Sequence, residues 1–366
     1  MKKNYFTIAL VFCLTSMGIA QNTVTVDASA EQLGYANVFE TEANGGGFGF
    51  GSEWGVIDLK TVVDPANNTL TLQPNFNTYA DNPGDSYWIN PVTLNGNKIF
   101  EGNTYVQDNS LVGSELTFEG YVMSNTLEGN GQLLFNVNNG PLEGGHQAVA
   151  AAFGGAFTST ALIGDAVLVT DEGSDPDEND ACEPITNASE IDGNVAVLRR
   201  GTCEFGLKAL NAQNAGAIAV IVVNSVEGPP IVMGGGADGE SVTIPVLMVS
   251  DETGAAIIAE LANGVNTKMV LSTYKTIAFI KVFNADYTFL KQENFPLGEE
   301  GSIFSVTYDN VEDSDAVVQY GFQVLGLNAN PVNEVALGSV VVTDAILGVN
   351  DFNAINVSVY PNPTIN

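Results

Sequence analysis

Hydrophobic and polar residues alternate in short runs over residues 22–130, which is the pattern of half-buried β-strands. The runs are TVTVDA, WGVIDLKTVV, NTLTLQPN, NTYVQD and ELTFEGYVM, and turn-forming sequences such as DNPG and NGN separate them. A glycine-aromatic run occupies residues 45–51. We expect it to be a flexible connection between strands, because neither a lysine nor a helical pattern follows it.

The pattern changes over residues 131–272, where apolar strand-like runs alternate with alanine-rich helical runs. Alternation of this kind predicts an α/β or α+β domain with parallel strand pairing. A helix with one apolar face is predicted to begin near Phe205 and to end before Gly216, which is a C-cap signal. A second helix is predicted from about Thr253 to Leu261.

Residues 273–346 return to the alternation of the first region, and no Pro/Ser-rich linker marks either boundary of the middle region. A module that interrupts a sheet shows no linker, whereas tandem domains usually do. The predicted fold is therefore multi-domain and β-rich. A jelly-roll-like β-sandwich formed by residues 21–130 and 273–346 carries an inserted domain at 131–272. Three tandem domains are the alternative.

Residues 1–20 have the features of a secretory signal peptide. Lys2 and Lys3 precede an apolar stretch at 8–17, and small residues end at Ala20. The stretch is short against the roughly 20 residues that span a bilayer, so an uncleaved anchor is the less favoured alternative. No later segment is long enough to span a membrane, and the protein is expected to be secreted or displayed on the cell surface.

The charge balance restricts the partners. Lysine and arginine number 11 against 43 acidic residues, giving a net charge of -32. Such a surface repels phosphate backbones and anionic lipid, which excludes nucleic-acid binding. Charged residues nevertheless make up only 15% of the chain and apolar residues 45%, so folded cores are expected rather than a disordered acidic tail.

Cys182 and Cys203 are the two cysteines that remain once the signal peptide is removed. In an oxidising compartment they are expected to pair, with two reduced core cysteines as the alternative. The bond would close a loop of about twenty residues and contribute roughly 3 kcal/mol.

The segments around these cysteines resemble the protease-associated (PA) domain. The matching stretches are ACEP at 181–184, IDGNVAVLRRGTCEF at 191–205 and NAQNAGA at 211–217. The resemblance implies a small α+β or β-barrel-like fold that binds peptides or gates substrate access without catalysis. Its candidate binding residues are Arg200, Gly201, Phe205, Lys208, Asn211 and Asn224.

Six acidic residues fall within residues 171–180. A helix-loop-helix calcium site does not fit, because Asp180 stands where glycine is needed and Thr186 where glutamate is needed. A solvated acidic loop is the main interpretation. An irregular calcium site, with Asp175, Asp177 and Asp180 as candidate ligands, is the alternative, and no other cofactor is expected.

Catalytic motifs are missing from the sequence. The one histidine, His146, has no HExxH or GxSxG motif to support it, so we interpret it as structural or exposed. A pair of carboxylates that hydrolyses glycosides remains an open alternative, because the chain contains 43 acidic residues and such a pair has no sequence motif. Five aromatic residues could stack on sugars, although core packing is their commoner role. They are Trp54, Tyr79, Tyr87, Trp88 and Tyr105.

The C-terminal stretch 347–366 reads as a linker followed by VSVYPNPT at 357–364. It resembles the opening of the sorting domain used by type IX secretion in Bacteroidetes-type bacteria, which implies the type IX machinery as a partner. A stray Tyr-Pro-Asn-Pro turn is the alternative.

These observations predict a secreted, non-catalytic binding or accessory protein. Its PA domain would bind a peptide or protein, and its β-sandwich would bind a glycan. The alternative is the non-catalytic portion of a secreted hydrolase, a peptidase, whose catalytic domain is absent from this chain. The coding sequence beyond Asn366 would discriminate the two.

Overall fold

A computed structural model describes residues 21–172, 177–308 and 316–344 of the chain. The signal-peptide prediction at 1–20 and the sorting-domain resemblance at 357–364 lie outside these residues. Strands dominate the described part and form three sheets, so the predicted β-rich class is confirmed. Among the described helices, none combines the length and the apolar character needed to cross a membrane.

The strands and helices follow in chain order. The strands are β1 (Gln21–Thr25), β2 (Leu33–Glu40), β3 (Phe48–Glu53), β4 (Thr61–Asp64), β5 (Thr69–Leu72), β6 (Lys98–Gln107), β7 (Glu115–Asn125), β8 (Gly131–Val137), β9 (Gly144–His146), β10 (Ala148–Ala150), β11 (Leu162–Leu168), β12 (Val195–Arg199), β13 (Ala219–Val223), β14 (Val246–Val249), β15 (Asn266–Thr273), β16 (Lys275–Phe283), β17 (Phe289–Pro296), β18 (Ile303–Tyr308), β19 (Val317–Leu327) and β20 (Val340–Thr343). The α-helices are α1 (Asn77–Ala80), α2 (Ala188–Ile191), α3 (Phe205–Asn214), α4 (Asp251–Glu260) and α5 (Glu334–Leu337).

Two six-stranded sheets contain strands from both sides of the middle segment. One sheet has the order β1-β7-β20-β5-β4 with β18 also paired to β7, and the other has the order β17-β16-β19-β6-β2-β3. Alternate residues of β16, such as Ile280 and Val282, enter one hydrophobic cluster with Phe118 and Phe304 of the facing sheet. The rings of Phe118 and Phe304 lie 5.3 Å apart, edge to face. We call this part the two-sheet body; its jelly-roll designation stays a prediction.

Residues 131–273 form an eight-stranded sheet of order β10-β14-β13-β12-β11-β15-β8-β9. Strands β11 to β14 pair in parallel, as the strand-helix-strand pattern predicts. Both faces are covered, as parallel sheets require. Leu198 of β12 packs with Ala209 and Ala212 of α3 on one face, whereas Val197 packs with Ile257 of α4 on the other.

Two local predictions are corrected. The run predicted as a strand at 54–63 is a strand only from Thr61. Residues 56–60 are turns, because the Leu59 amide donates to the Gly55 carbonyl and Lys60 has a left-handed φ of 65°. The glycine-aromatic run is only partly a connection, since Phe48–Glu53 is a strand paired with β2.

Buried hydrogen bonds join the eight-stranded sheet to the two-sheet body. The Gln132 side-chain amide donates to the Tyr274 hydroxyl at 2.8 Å and to the Asn328 carbonyl at 3.2 Å. The Tyr274 hydroxyl in turn donates to the Leu327 carbonyl at 2.9 Å. Burial raises the pKa of Tyr274 above its ordinary value. The two parts are therefore linked by polar contacts as well as by the chain.

Candidate functional site

A disulfide fixes the loop at residues 180–183 to the start of α3. Cys182 and Cys203 are bonded, with 5.8 Å between their Cα atoms, so the predicted pairing is confirmed. The bond connects the loop at 180–183 with the turn that leads from β12 into α3. Any movement of this loop relative to α3 is therefore restricted covalently.

Lys208 of α3 forms a buried ion pair with the same loop. Its Nζ lies 3.1 Å from Asp180 Oδ2 and donates to the Asp180 carbonyl at 2.7 Å, and both side chains are almost wholly buried. Taking two charges out of water costs several kcal/mol per ion, so each charge depends on the other. The predicted binding residue Lys208 thus holds the loop, and it could touch a ligand only if the loop moved.

Two further predicted binding residues shape this loop. Asn211 donates from its side-chain amide to the carbonyls of Ala181, at 2.9 Å, and Glu183, at 3.3 Å. Gly201 lies so close to the loop that a Cβ atom there would overlap the Asp180 carboxylate. Glycine at this position is explained by that close approach.

The remaining predicted binding residues converge at the carboxyl edge of the parallel strands. Arg200 follows β12 and Asn224 follows the neighbouring β13. The Arg200 guanidinium donates to Asn224 Oδ1 at 3.1 Å, and its central carbon lies 5.9 Å from the centre of the Phe205 ring. Ligands of open α/β sheets commonly bind outside this edge. We call this place the PA edge.

An exposed apolar loop borders the PA edge, and the sequence interpretation missed it. Its exposed large hydrophobic side chains within residues 225–232 are Val226 (55%), Ile231 (42%) and Val232 (65%). A cavity of about 360 Å³ lies beside it, lined by Arg199, Asn224, Ser225, Asp251, Ala255 and Ile258, among others. The signal that could have revealed the loop is the sequence PPIV, which places apolar residues after two prolines and outside any strand pattern.

The two calcium candidates that the structure describes, Asp177 and Asp180, pair with different cationic side chains. Asp175 lies outside the described residues. Asp177 lies 3.5 Å from Arg199, and Asp180 pairs with Lys208. A different trio brings carboxylate oxygens within 4.8 Å of one another: Asp171, Asp180 and Glu183. Calcium binding by this loop stays a prediction.

His146 lies on β9, at the edge of the eight-stranded sheet. Its Nε2 is 2.8 Å from the Leu142 carbonyl, and its ring is 6.2 Å from that of Phe135. These local contacts fit the structural interpretation of His146.

Four of the five aromatic residues considered for sugar stacking pack elsewhere. The ring of Trp54 is 5.3 Å from Phe100, and the ring of Trp88 is 6.2 Å from Phe50. Tyr79 donates to the Leu94 carbonyl, and Tyr87 lies under the Lys98 ammonium. Tyr105 alone of the five lines a cavity of about 410 Å³ on the two-sheet body.

The parallel sheet covered on both faces, its disulfide-bound loop and the open PA edge define an α/β domain. Residues 163–257 match the family described as PA domain, so the chain carries a PA domain there.

Curated relatives are similar to part of the chain. The chain is 34% identical over 101 residues to ER degradation-enhancing alpha-mannosidase-like protein 3 of Homo sapiens, covering 26% of this chain and 11% of that protein. It is 34% identical over 96 residues to Signal peptide peptidase-like 3 of Arabidopsis thaliana, covering 26% and 17%. The PRADC1-like protein of Drosophila melanogaster is 41% identical over 73 residues, with 20% and 34% covered. The chain thus aligns with a minor part of each relative's length.

Among solved structures, a zinc aminopeptidase from Bacillus subtilis, BSAP, matches with a TM-score of 0.28 and 22% identity, covering 40% of this chain and 34% of that one. An aminopeptidase from Aneurinibacillus sp. strain AM-1 matches with a TM-score of 0.29 and 13% identity, covering 56% and 37%. Likeness at this level carries no functional information.

Proposed function

We propose that the chain is a secreted binding or accessory protein whose PA domain takes a peptide segment of another protein at the PA edge. The two-sheet body is proposed to bind a glycan, and export through the type IX machinery belongs to the same proposal. The observation that carries the peptide role is the convergence of Arg200, Phe205 and Asn224 beside the exposed loop at 225–232.

The chemistry of the PA edge suits an extended peptide. Val226, Ile231 and Val232 offer apolar contact area to a ligand's side chains. The Arg200 guanidinium has five N–H donors and donates one of them to Asn224. Other donors can therefore form hydrogen bonds with peptide carbonyls or with a carboxylate. Aromatic residues and arginine are enriched at protein interfaces. The strongly acidic chain further favours partners without net negative charge.

The states of the cysteines and the histidine support binding over nucleophilic catalysis. Cys182 and Cys203 are bonded to each other, and His146 contacts a backbone carbonyl of its own turn. A thiolate is required for cysteine nucleophiles, and a histidine base must reach the group that it deprotonates.

Selection of peptides from a random display library on the purified protein tests this role. Enriched peptides should lose about tenfold or more of their affinity on Val232→Asp, because a charge would replace an exposed apolar contact. Val335→Asp is the matched control, since Val335 is 97% exposed on α5 of the two-sheet body. Equal effects of both substitutions, no enriched peptide, or turnover of casein by the protein would contradict the proposal.

A second candidate is the non-catalytic portion of a secreted hydrolase. It is favoured by the names of the aligned relatives, which include a mannosidase-like protein and a signal peptide peptidase-like protein. The intact mass of the protein recovered from its natural source tests this candidate. A mass well above the 38.4 kDa of this chain together with hydrolase activity would support it, since a sorting domain alone would add mass without activity, and a mass at or below that value would contradict it.

A further inference from the structure

A groove crosses the outer face of the sheet that contains β16, β19, β6 and β2. Alternation along β16 creates it: Ile280 and Val282 enter the core, whereas Lys281 and Phe283 line the opposite face. The cavity measures about 410 Å³, within the range of roughly 300–1,000 Å³ that is typical of small-molecule sites. We call it the sheet groove.

The floor of the sheet groove is a hydrogen-bonded polar network. Lys281 Nζ donates to Asn103 Oδ1 at 2.7 Å. The side-chain amides of Asn37 and Asn103 both donate to Glu101 Oε1, at 2.9 and 3.1 Å. Asn103 is only 2% exposed, and desolvation lowers the pKa of Lys281, with Glu101 opposing that shift. The network therefore holds donors and acceptors in fixed positions at the bottom of a cavity.

Aromatic rings form the walls of the sheet groove. Tyr35 and Tyr105 stand on the neighbouring strands β2 and β6. Tyr287 and Phe289, where the turn after β16 meets β17, are 57% and 55% exposed. Gly51 on β3 leaves room for this wall, since a Cβ there would come within 2.8 Å of the Tyr35 hydroxyl. The cavity thus combines a polar floor with apolar ring faces.

The charges of the lining select the class of ligand. The lining includes Lys281 together with Glu53 and Glu101. Two carboxylates and a net chain charge of -32 disfavour an anionic ligand, and the Lys281 ammonium on the floor, a hydrogen-bond donor without an acceptor, pairs with oxygen atoms rather than with a cation. A neutral saccharide fits both features, because its hydroxyl groups can donate to and accept from the floor while its C–H faces pack on the rings.

We propose that the sheet groove binds neutral saccharide units of a glycan. This inference rests on the glycan-binding role proposed for the two-sheet body and is independent of the PA edge. Glu53 and Glu101 both line the groove, and glycoside hydrolysis uses a pair of carboxylates. Glu101 already accepts two amide hydrogen bonds, so the proposal is binding without cleavage.

A panel of soluble oligosaccharides tests the proposal with the full chain. Cellohexaose, xylohexaose, mannohexaose and chitohexaose are the neutral probes, and an oligogalacturonide is the charged one. At least one neutral probe should bind saturably and more tightly than the charged probe, with no release of reducing ends. Absence of saturable neutral binding, preference for the charged probe, or release of reducing ends would each overturn the proposal.

Substitution of an aromatic residue inside the groove and of one outside it tests whether the saccharide binds in the sheet groove. Phe289→Ala should weaken binding of the neutral probe about tenfold, because a stacking ring is lost. Phe48→Ala should leave it unchanged, since Phe48 is 62% exposed but lies outside the groove. Tyr287→Ala should also weaken binding of the neutral probe, because a second exposed ring of the groove is lost. Equal affinity of Phe289→Ala and wild type would overturn the inference.

The peptide proposal for the PA edge and the saccharide proposal for the sheet groove can be contradicted independently of each other. Val232→Asp should weaken peptide binding and leave saccharide binding intact, and Phe289→Ala should do the reverse. If Phe289→Ala weakened binding of the library peptides instead, the groove would be a peptide site and the saccharide inference would be wrong.

Discussion

The ammonium nitrogen of Lys208 lies 3.1 Å from Asp180 Oδ2, and neither side chain is accessible to solvent beyond 1%. The disulfide of Cys182 joins the same loop to the turn before α3. An ion pair and a covalent bond thus hold one short loop against one helix, beside the PA edge. The loop and the helix are expected to act as a rigid support for the residues at that edge.

Lys208→Met should destabilise the PA domain strongly. The substitution leaves the buried Asp180 carboxylate without its charge partner, which typically costs about 3–5 kcal/mol. Adding Asp180→Asn should recover part of this loss, because it removes the uncompensated charge. Urea unfolding measured on the single and double variants checks the expectation, and a double variant less stable than Lys208→Met would contradict it.

The disulfide should contribute roughly 3 kcal/mol through a loop of about twenty residues. The Cys182→Ser/Cys203→Ser variant should therefore unfold at lower urea than wild type. Reductant should shift the wild type toward the variant and leave the variant itself unchanged. A wild type whose unfolding midpoint does not respond to reductant would contradict the expectation.

Tyr274→Phe should lose stability at pH 8 and lose less at pH 11. At pH 8 the variant removes the buried hydroxyl between Gln132 and Leu327, at a cost of about 1–3 kcal/mol. The pKa of Tyr274 is raised by burial above the ordinary value of 10.0. Its contribution is thus fully present below pH 10 and is lost as the pH rises further, because the unfolded chain releases the proton first. Urea unfolding at both pH values checks this, and an equal difference at both would contradict it.

Arg200→Ala should weaken binding of a library-selected peptide about tenfold while changing stability little. Arg200 is partly exposed, and its guanidinium meets Asn224 at the surface of the domain. Lys275→Ala is the control that removes the same charge from an exposed site on β16. Fluorescence anisotropy gives both affinities, and an equal change in the two variants would indicate a general charge effect.

The sequence predicted α3, α4 and the disulfide well, but it did not predict the short helices α1, α2 and α5. The signal at Gly216, which has a left-handed φ of 91°, places the end of α3 correctly at Asn214. Helix α4 begins at Asp251, two residues before the predicted start at Thr253. It begins there because the Ser250 hydroxyl caps the helix by accepting a hydrogen bond from the Thr253 amide.

Long-range contacts explain what the sequence did not reveal. Lysine is rarely buried unless it is paired, and the partner of Lys208 lies 28 residues earlier in the chain. The floor of the sheet groove likewise depends on strand register, which sets Asn37 opposite Glu101 across β2 and β6. Neither pairing produces a motif that can be recognised along the chain.

Hydrogen–deuterium exchange with a library-selected peptide tests the central claim most directly, because it locates the bound ligand on the chain. Peptide binding at the PA edge predicts slowed amide exchange in residues 225–232 and around Arg200, with unchanged exchange in the two-sheet body. Protection confined to the two-sheet body, or no protection at saturating peptide, would contradict the claim.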